Sequence, residues 1–325
     1  MNAMRKLFWI LALWGSWTGS LAAFNKLGTV AAVFLKIGQD ARAMGMAGAY
    51  TAVAEGPQAV FWNPAGLVGL PGWQVNGSYG AWLQDASFGA VAVSRALDAA
   101  TGLALSGVYL VSRPMERTTP QAPEGTGETF RYQAAAWGAS VARRLTDRVQ
   151  VGMTVKVVQE GIARTSATTW ALDFGSLYRT EWHRLSLGIA LCHFGGRMAL
   201  SGQELWFYWD PDEGRADNPE EEASLRPRAW ALPTTYRVAL ALEPRSGWLL
   251  TLQGTHTAEA VQSLELGSEY RLQSLALRAG VAHTPGGLRW TVGLGVRQGT
   301  VLLDYAVESL GPLGLSHRLG ITLKP

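Results

Sequence analysis

From residue 73 to the end of this 325-residue chain, the side chains change character at every second position. Over residues 148–160, Val149, Val151, Met153, Val155 and Val157 point one way, while Arg148, Gln150, Thr154, Lys156 and Glu160 point the other. Over 288–297, Leu288, Trp290, Val292, Leu294 and Val296 oppose Arg289, Thr291, Gly293, Gly295 and Arg297. Successive side chains of a strand project to opposite faces, so each segment has one apolar face and one polar or small face. About fourteen such segments begin near Trp73, Ser87, Thr101, Phe130, Arg148, Thr165, Trp182, Thr235, Trp248, Val261, Ser274, Leu288, Thr300 and Leu315. Those around Phe88 and Trp137 alternate least well. The chain is therefore all-β, and two architectures compete. A soluble sandwich buries the apolar faces, whereas a transmembrane antiparallel β-barrel turns them to lipid.

Three features favour the barrel. Lipid offers no partner for a strand edge, so a sheet in a membrane must close on itself, and single-chain bacterial barrels close with an even number of strands. The gaps after every second segment are short (97–100, 144–147, 179–181, 243–247, 272–273 and 298–299), while the two long gaps, 112–129 and 195–234, both lie at the other end. Outer-membrane barrels have that polarity, with short periplasmic turns, longer outer loops and both termini in the periplasm. Charged residues make up 16% of the chain, below the quarter or so usual for soluble domains, and the 14 Trp suit the membrane interface. Residues 1–22 read as a secretory signal: Arg5 and Lys6, an apolar run, then small residues to Ala22. That run is too short to span ~30 Å of hydrocarbon as a helix. The expected division is a signal peptide (1–22), an N-terminal hatch (23–72) and an outer-membrane β-barrel (73–325).

The hatch expectation rests on residues 34–70, rich in Gly and Ala, whose small side chains let backbones approach closely. Asp40 is placed to cap a helix reaching about Ala54, and Pro57 to open a second. The blocks GQDARAMGMAGAYTAVA (38–54) and WNPAGL (62–67) resemble the start of the PorV/PorQ family of outer-membrane barrels, within the wider FadL-like group. A weaker likeness runs from Leu232–Pro233 through the last segment. The resemblance implies a fourteen-strand barrel with an N-terminal hatch, and gating residues Asp40, Gly45, Gly48, Asn63, Pro64 and Ala65. Because the first block is closer to the PorV branch, it implies a part in type IX-like secretion, with secreted cargo and a surface attachment complex as partners. The FadL-like alternative is a passive channel for hydrophobic small molecules.

No catalytic residues and no cofactor are expected. The chain lacks a zinc-protease, phosphate-loop or nucleophile-elbow motif, and Gly293, Gly295 and Gly299 have the wrong spacing for a dinucleotide turn. His183, His193, His256, His283 and His317 are scattered rather than grouped as metal ligands are, and the single Cys192 is expected to pack towards the lumen. Without a basic run interleaved with aromatics, nucleic acid is excluded as a partner; outer-membrane lipid is the expected one. In the longest gap, Trp206, Phe207, Tyr208 and Trp209 precede the acids Asp210, Asp212, Glu213, Asp217, Glu220, Glu221 and Glu222. The aromatic quartet is a candidate extracellular contact surface, or else folds over the barrel mouth or joins an aromatic girdle.

Overall fold

The computed structural model describes residues 27–83, 86–209, 221–259 and 262–324, with the backbone alone for His183. The expected signal peptide, Val261 and the acids 210–220 lie outside these residues.

Among the described residues, fourteen long strands form one closed antiparallel sheet: β1 Trp73–Ala81, β2 Ser87–Ala96, β3 Thr101–Val111, β4 Tyr132–Arg144, β5 Val149–Ile162, β6 Thr165–Arg179, β7 Ser186–Gly195, β8 Thr235–Arg245, β9 Trp248–Thr257, β10 Gln262–Leu272, β11 Leu275–Thr284, β12 Gly287–Gln298, β13 Val301–Ser309 and β14 Leu315–Leu323. Each strand pairs with its neighbours in sequence, and β14 returns to β1 with Leu323 opposite Val75 and Arg318 opposite Gly80. The open sandwich is thereby excluded, and with it the reading in which the apolar faces meet across a core.

Two expected starts are corrected. The fourth strand begins at Tyr132 rather than Phe130, because Thr129–Phe130 pairs with Met115–Glu116 in a separate small hairpin. The seventh begins at Ser186 rather than Trp182: Trp182–Arg184 is a 3-10 turn closed by the Thr180 N–H donating to the Leu185 carbonyl.

The alternation now has a spatial meaning. Along β14, Leu315, His317, Leu319, Ile321 and Leu323 are exposed while Ser316, Arg318, Gly320 and Thr322 are buried. Across the barrel the outward row includes Leu105, Trp137, Val155, Val157, Trp170, Leu266, Leu277, Trp290 and Leu303, all exposed. Such a continuous apolar surface is incompatible with water and matches the lipid-facing band of an outer-membrane barrel. Val155 stands near the middle of β5 on this face. Val155→Arg is expected to cost about 2–4 kcal/mol of membrane stability, read as a smaller fraction of heat-modifiable barrel in the outer-membrane fraction.

One end of the barrel carries the short turns and the chain's entry and exit at residues 70–72 and 324; the other carries the long connections 112–131 and 196–234. Outside the barrel, Trp206–Trp209 pairs with Glu221–Ser224, and all four aromatics are exposed, Tyr208 most at 72%. Arg117 of one long connection donates to Glu204 of the other (Nη2–Oε1 2.6 Å), and this bond holds the Glu204 carboxyl below its usual range.

Candidate functional site

The buried polar side chains of the sheet, among them Gln150, Thr154, Gln253, Glu269, Arg278, Thr291 and Asp304, all point to the inside of the cylinder. Residues 33–68 lie against them. The segment folds as short turns: 3-10 at Val33–Lys36, one α-turn at Ala41–Met44, and 3-10 at Pro57–Phe61 and Pro64–Leu67. A helix to Ala54 does not form. Ala47 (φ 55°) and Gly48 (φ 80°) enter the left-handed region, which ends a right-handed helix, and Gly48 brings its backbone close to the ring of Trp62.

Each residue singled out from the sequence has a definite contact. Asp40 caps the α-turn, its Oδ2 accepting from the Ala43 N–H at 3.0 Å. Asn63 caps the last turn by accepting from Ala65 N–H (3.2 Å), and its amide donates to the Thr51 carbonyl (2.9 Å) and to the Ser176 carbonyl on β6 (3.0 Å). Extended backbone at Asn63 is what a following proline requires, and Pro64 starts the turn without leaving a lost N–H. The three residues thus form a stitch between segment and wall. On the opposite wall, the Thr291 hydroxyl donates to the Gly45 carbonyl and accepts from Ala47 N–H, and Gln253 donates to the Gly48 carbonyl and accepts from Thr51 N–H.

Sequence reasoning missed the strongest tie. Arg42 of the α-turn donates to both oxygens of Glu269 on β10 (2.9 and 3.0 Å), Glu269 accepts from Arg278 on β11 (2.7 Å), and Arg278 donates to Asp304 on β13 (2.7 Å). All four side chains are nearly inaccessible. The signal was present as charged residues at inward positions of neighbouring strands, but the partner that ties them to the segment, Arg42, lies 227 residues before Glu269. A second buried group, Lys156, Asp173 and His193, marks the register shift between β6 and β7, where Asp173 accepts from the His193 backbone N–H at 2.7 Å in place of a strand carbonyl.

On the side of the long connections lies a cavity of about 200 Å³ whose lining includes Ile37, Met44, Trp62, Trp82, Arg237 and Glu265. Arg237 sits over the Trp62 ring, 5.0 Å from its centroid, and Cys192, facing inward, meets the same guanidinium at 3.6 Å. Among the described residues no three His, Cys, Asp or Glu side chains are grouped to hold a metal ion. His256, His283 and His317 lie on the exposed face.

No family model matches the chain, and no curated protein does. Solved structures do. The Ralstonia pickettii toluene transporter TbuX superposes with a TM-score of 0.62 at 13% identity, covering 88% of this chain and 97% of its own. CymD, a monoaromatic hydrocarbon channel, gives 0.63 at 12%, covering 89% and 98%. A Pseudomonas aeruginosa FadL homologue gives 0.59 at 13%, covering 88% and 98%. The fold is that of the FadL-like outer-membrane barrels. The secretion role expected from the first block is overturned by this likeness, since TbuX is a toluene transporter and TodX and CymD are monoaromatic hydrocarbon channels. The physical reason is plain in the contacts: residues 38–54 are spent on buried bonds to the wall of this barrel, which hold the segment whatever the barrel carries, so their likeness to one branch does not discriminate.

Proposed function

We propose that this protein is a passive channel for hydrophobic small molecules, with residues 33–68 acting as the plug that must shift for passage. Secreted cargo and an attachment complex have no place in this reading. Within the FadL-like group, the nearness of residues 38–54 and 62–67 to PorV/PorQ is kept as a likeness of sequence alone. The observation that carries the proposal is the chamber facing the long connections, floored by Ile37, Met44 and Trp62 of the segment itself. A solute entering there rests directly on the part that blocks its way. Ile37, Met44, Trp62 and Trp82 supply the burial that a hydrophobic solute gains on leaving water, on one side of a chamber whose remaining wall, with Lys36, Arg237, Gln253, Glu265, Arg289 and Glu308, is polar. The likeness in fold to the toluene and monoaromatic hydrocarbon channels supports the same solute class.

The test is uptake of labelled toluene by cells carrying or lacking the protein. Several-fold faster initial uptake with the protein, persisting when cellular energy is exhausted, is the expected result. Equal rates in the two strains reject the channel. Trp62→Ala, which removes the largest apolar surface of the chamber floor, is expected to reduce the toluene rate while leaving the amount of folded barrel unchanged.

A further inference from the structure

At the short-turn end, a second cavity of about 130 Å³ lies between the segment and the wall. This is roughly the room of four waters at ~30 Å³ each, enough for one phosphate-sized group with some of its hydration. Five cations line it: Arg42, Arg271, Arg278, Arg297 and Lys324. Three carboxylates, Glu55, Glu269 and Asp304, line it too, and all three are already engaged. Glu269 is held by Arg42, Arg271 and Arg278, Asp304 by Arg278, and Glu55 by Arg42.

Arg297 and Lys324 are left over. Strand register brings them together: Arg297 stands opposite Leu302, Leu302 opposite Thr322, and Lys324 follows Thr322 by two positions on the same inward face. Among the described residues neither has a carboxylate oxygen within 4.0 Å. The cavity therefore carries two positive charges beyond those its carboxylates balance, Arg297 exposed at its rim and Lys324 half-buried beside it, and a cleft lined by one excess sign of charge concentrates the field at its mouth.

We propose that this cavity is a binding site for a phosphate-type oxyanion. A guanidinium offers paired donors matched to two oxygens of such a group, and an ammonium adds a compact charge. Ser274 and Gln273, in the turn that closes the cavity, supply neutral donors. A phosphate group carries about −1.5 to −2 at neutral pH and balances both spare charges, whereas one carboxylate balances only one. The ligand would touch Arg42 of the segment and the wall at once. The site does not depend on the channel reading.

The test is calorimetric titration of the folded protein in neutral detergent with inorganic phosphate, against chloride at equal ionic strength. Saturable binding at one site is expected, weakened about tenfold or more in Arg297→Gln/Lys324→Gln and unchanged in Arg148→Gln, whose side chain lies on the same rim paired with Glu181. Each single variant is measured as well, with heat-modifiable migration as the check on folding, so that a double variant that fails to fold does not decide the matter. A parallel titration uses dihexanoyl phosphatidic acid: tighter binding than phosphate assigns the site to a lipid headgroup, equal or weaker binding to the free ion. Absence of saturable phosphate binding, or equal binding by the wild type and all three variants, overturns the proposal.

Discussion

Glu269→Ala is expected to free the N-terminal segment from the barrel wall while leaving the barrel closed. Glu269 is 1% exposed and accepts hydrogen bonds from Arg42, Arg271 and Arg278. Its loss leaves Glu55 as the one carboxylate partner of Arg42 and Asp304 as that of Arg278, each cation short of a counter-charge in a site shielded from water. Breaking a buried ion pair by removing one member costs about 3–5 kcal/mol. That penalty falls on the contact between segment and wall, because the strands keep their backbone ladders and the outward face is untouched. At ~1.4 kcal/mol per tenfold, the released form rises in population by a few hundred-fold or more. Two measurements check it: ion conductance in planar bilayers, expected to rise, and trypsin cleavage after Arg42, expected to become fast. The double variant Arg42→Met/Glu269→Leu is the informative partner. It removes both charges of the pair, keeps Arg278 paired with Asp304, and is expected to recover much of the wild-type closure, read by conductance alone because the tryptic site at Arg42 is gone. Conductance and cleavage of Glu269→Ala indistinguishable from wild type would show that the buried network does not hold the segment.

The outline of the molecule was legible because its two solvents impose opposite demands on alternate residues. Along β5 and β12 the lipid-facing row and the inward row differ so sharply that strand, face and end could be read together. The same logic explains where alternation faded. In β2, Phe88, Ala90 and Ala92 are inward and buried, and in β4 so are Ala134 and Ala136. Those strands are apolar on both faces because the N-terminal segment, not water, covers much of their inner side, with residues 64–67 at the Ala142 end of β4 and Ala32 near its Ala134 end. The fault in the pattern was thus information about the contents of the cylinder. What could not be read was pairing at long range: nothing local to Arg42 names Glu269, and nothing in the block 38–54 separates one cargo from another. The helix expected to reach Ala54 failed for a similar reason. Its Ala-rich composition suits a helix, but the tertiary position of Gly48 against Trp62 overrides the local preference.

Gly280→Val is expected to displace the segment by another route, through volume rather than charge. Gly280 lies on the inward face of β11, and a Cβ there would come 2.5 Å from both Ala47 N and Met46 C. These are backbone atoms held by the Thr291 hydroxyl, so they cannot swing aside as a long side chain would. The same close approach recurs around the wall at Gly175, where a Cβ would stand 2.0 Å from Asn63 Oδ1, so the segment is seated on inward glycines at opposite sides of the barrel. Overpacking of a well-filled interior costs about 1–3 kcal/mol when neighbours can relax, and more is expected here because the contact is with main chain. The matched control is Gly254→Val on β9, whose added side chain has no heavy atom within 4 Å of its Cβ position and faces outward. Gly280→Val is expected to raise bilayer conductance and speed trypsin cleavage after Arg42, whereas Gly254→Val behaves as wild type. If both variants kept wild-type conductance, the segment would not be what closes the lumen, and the chamber above it could not be the entry to a gated path.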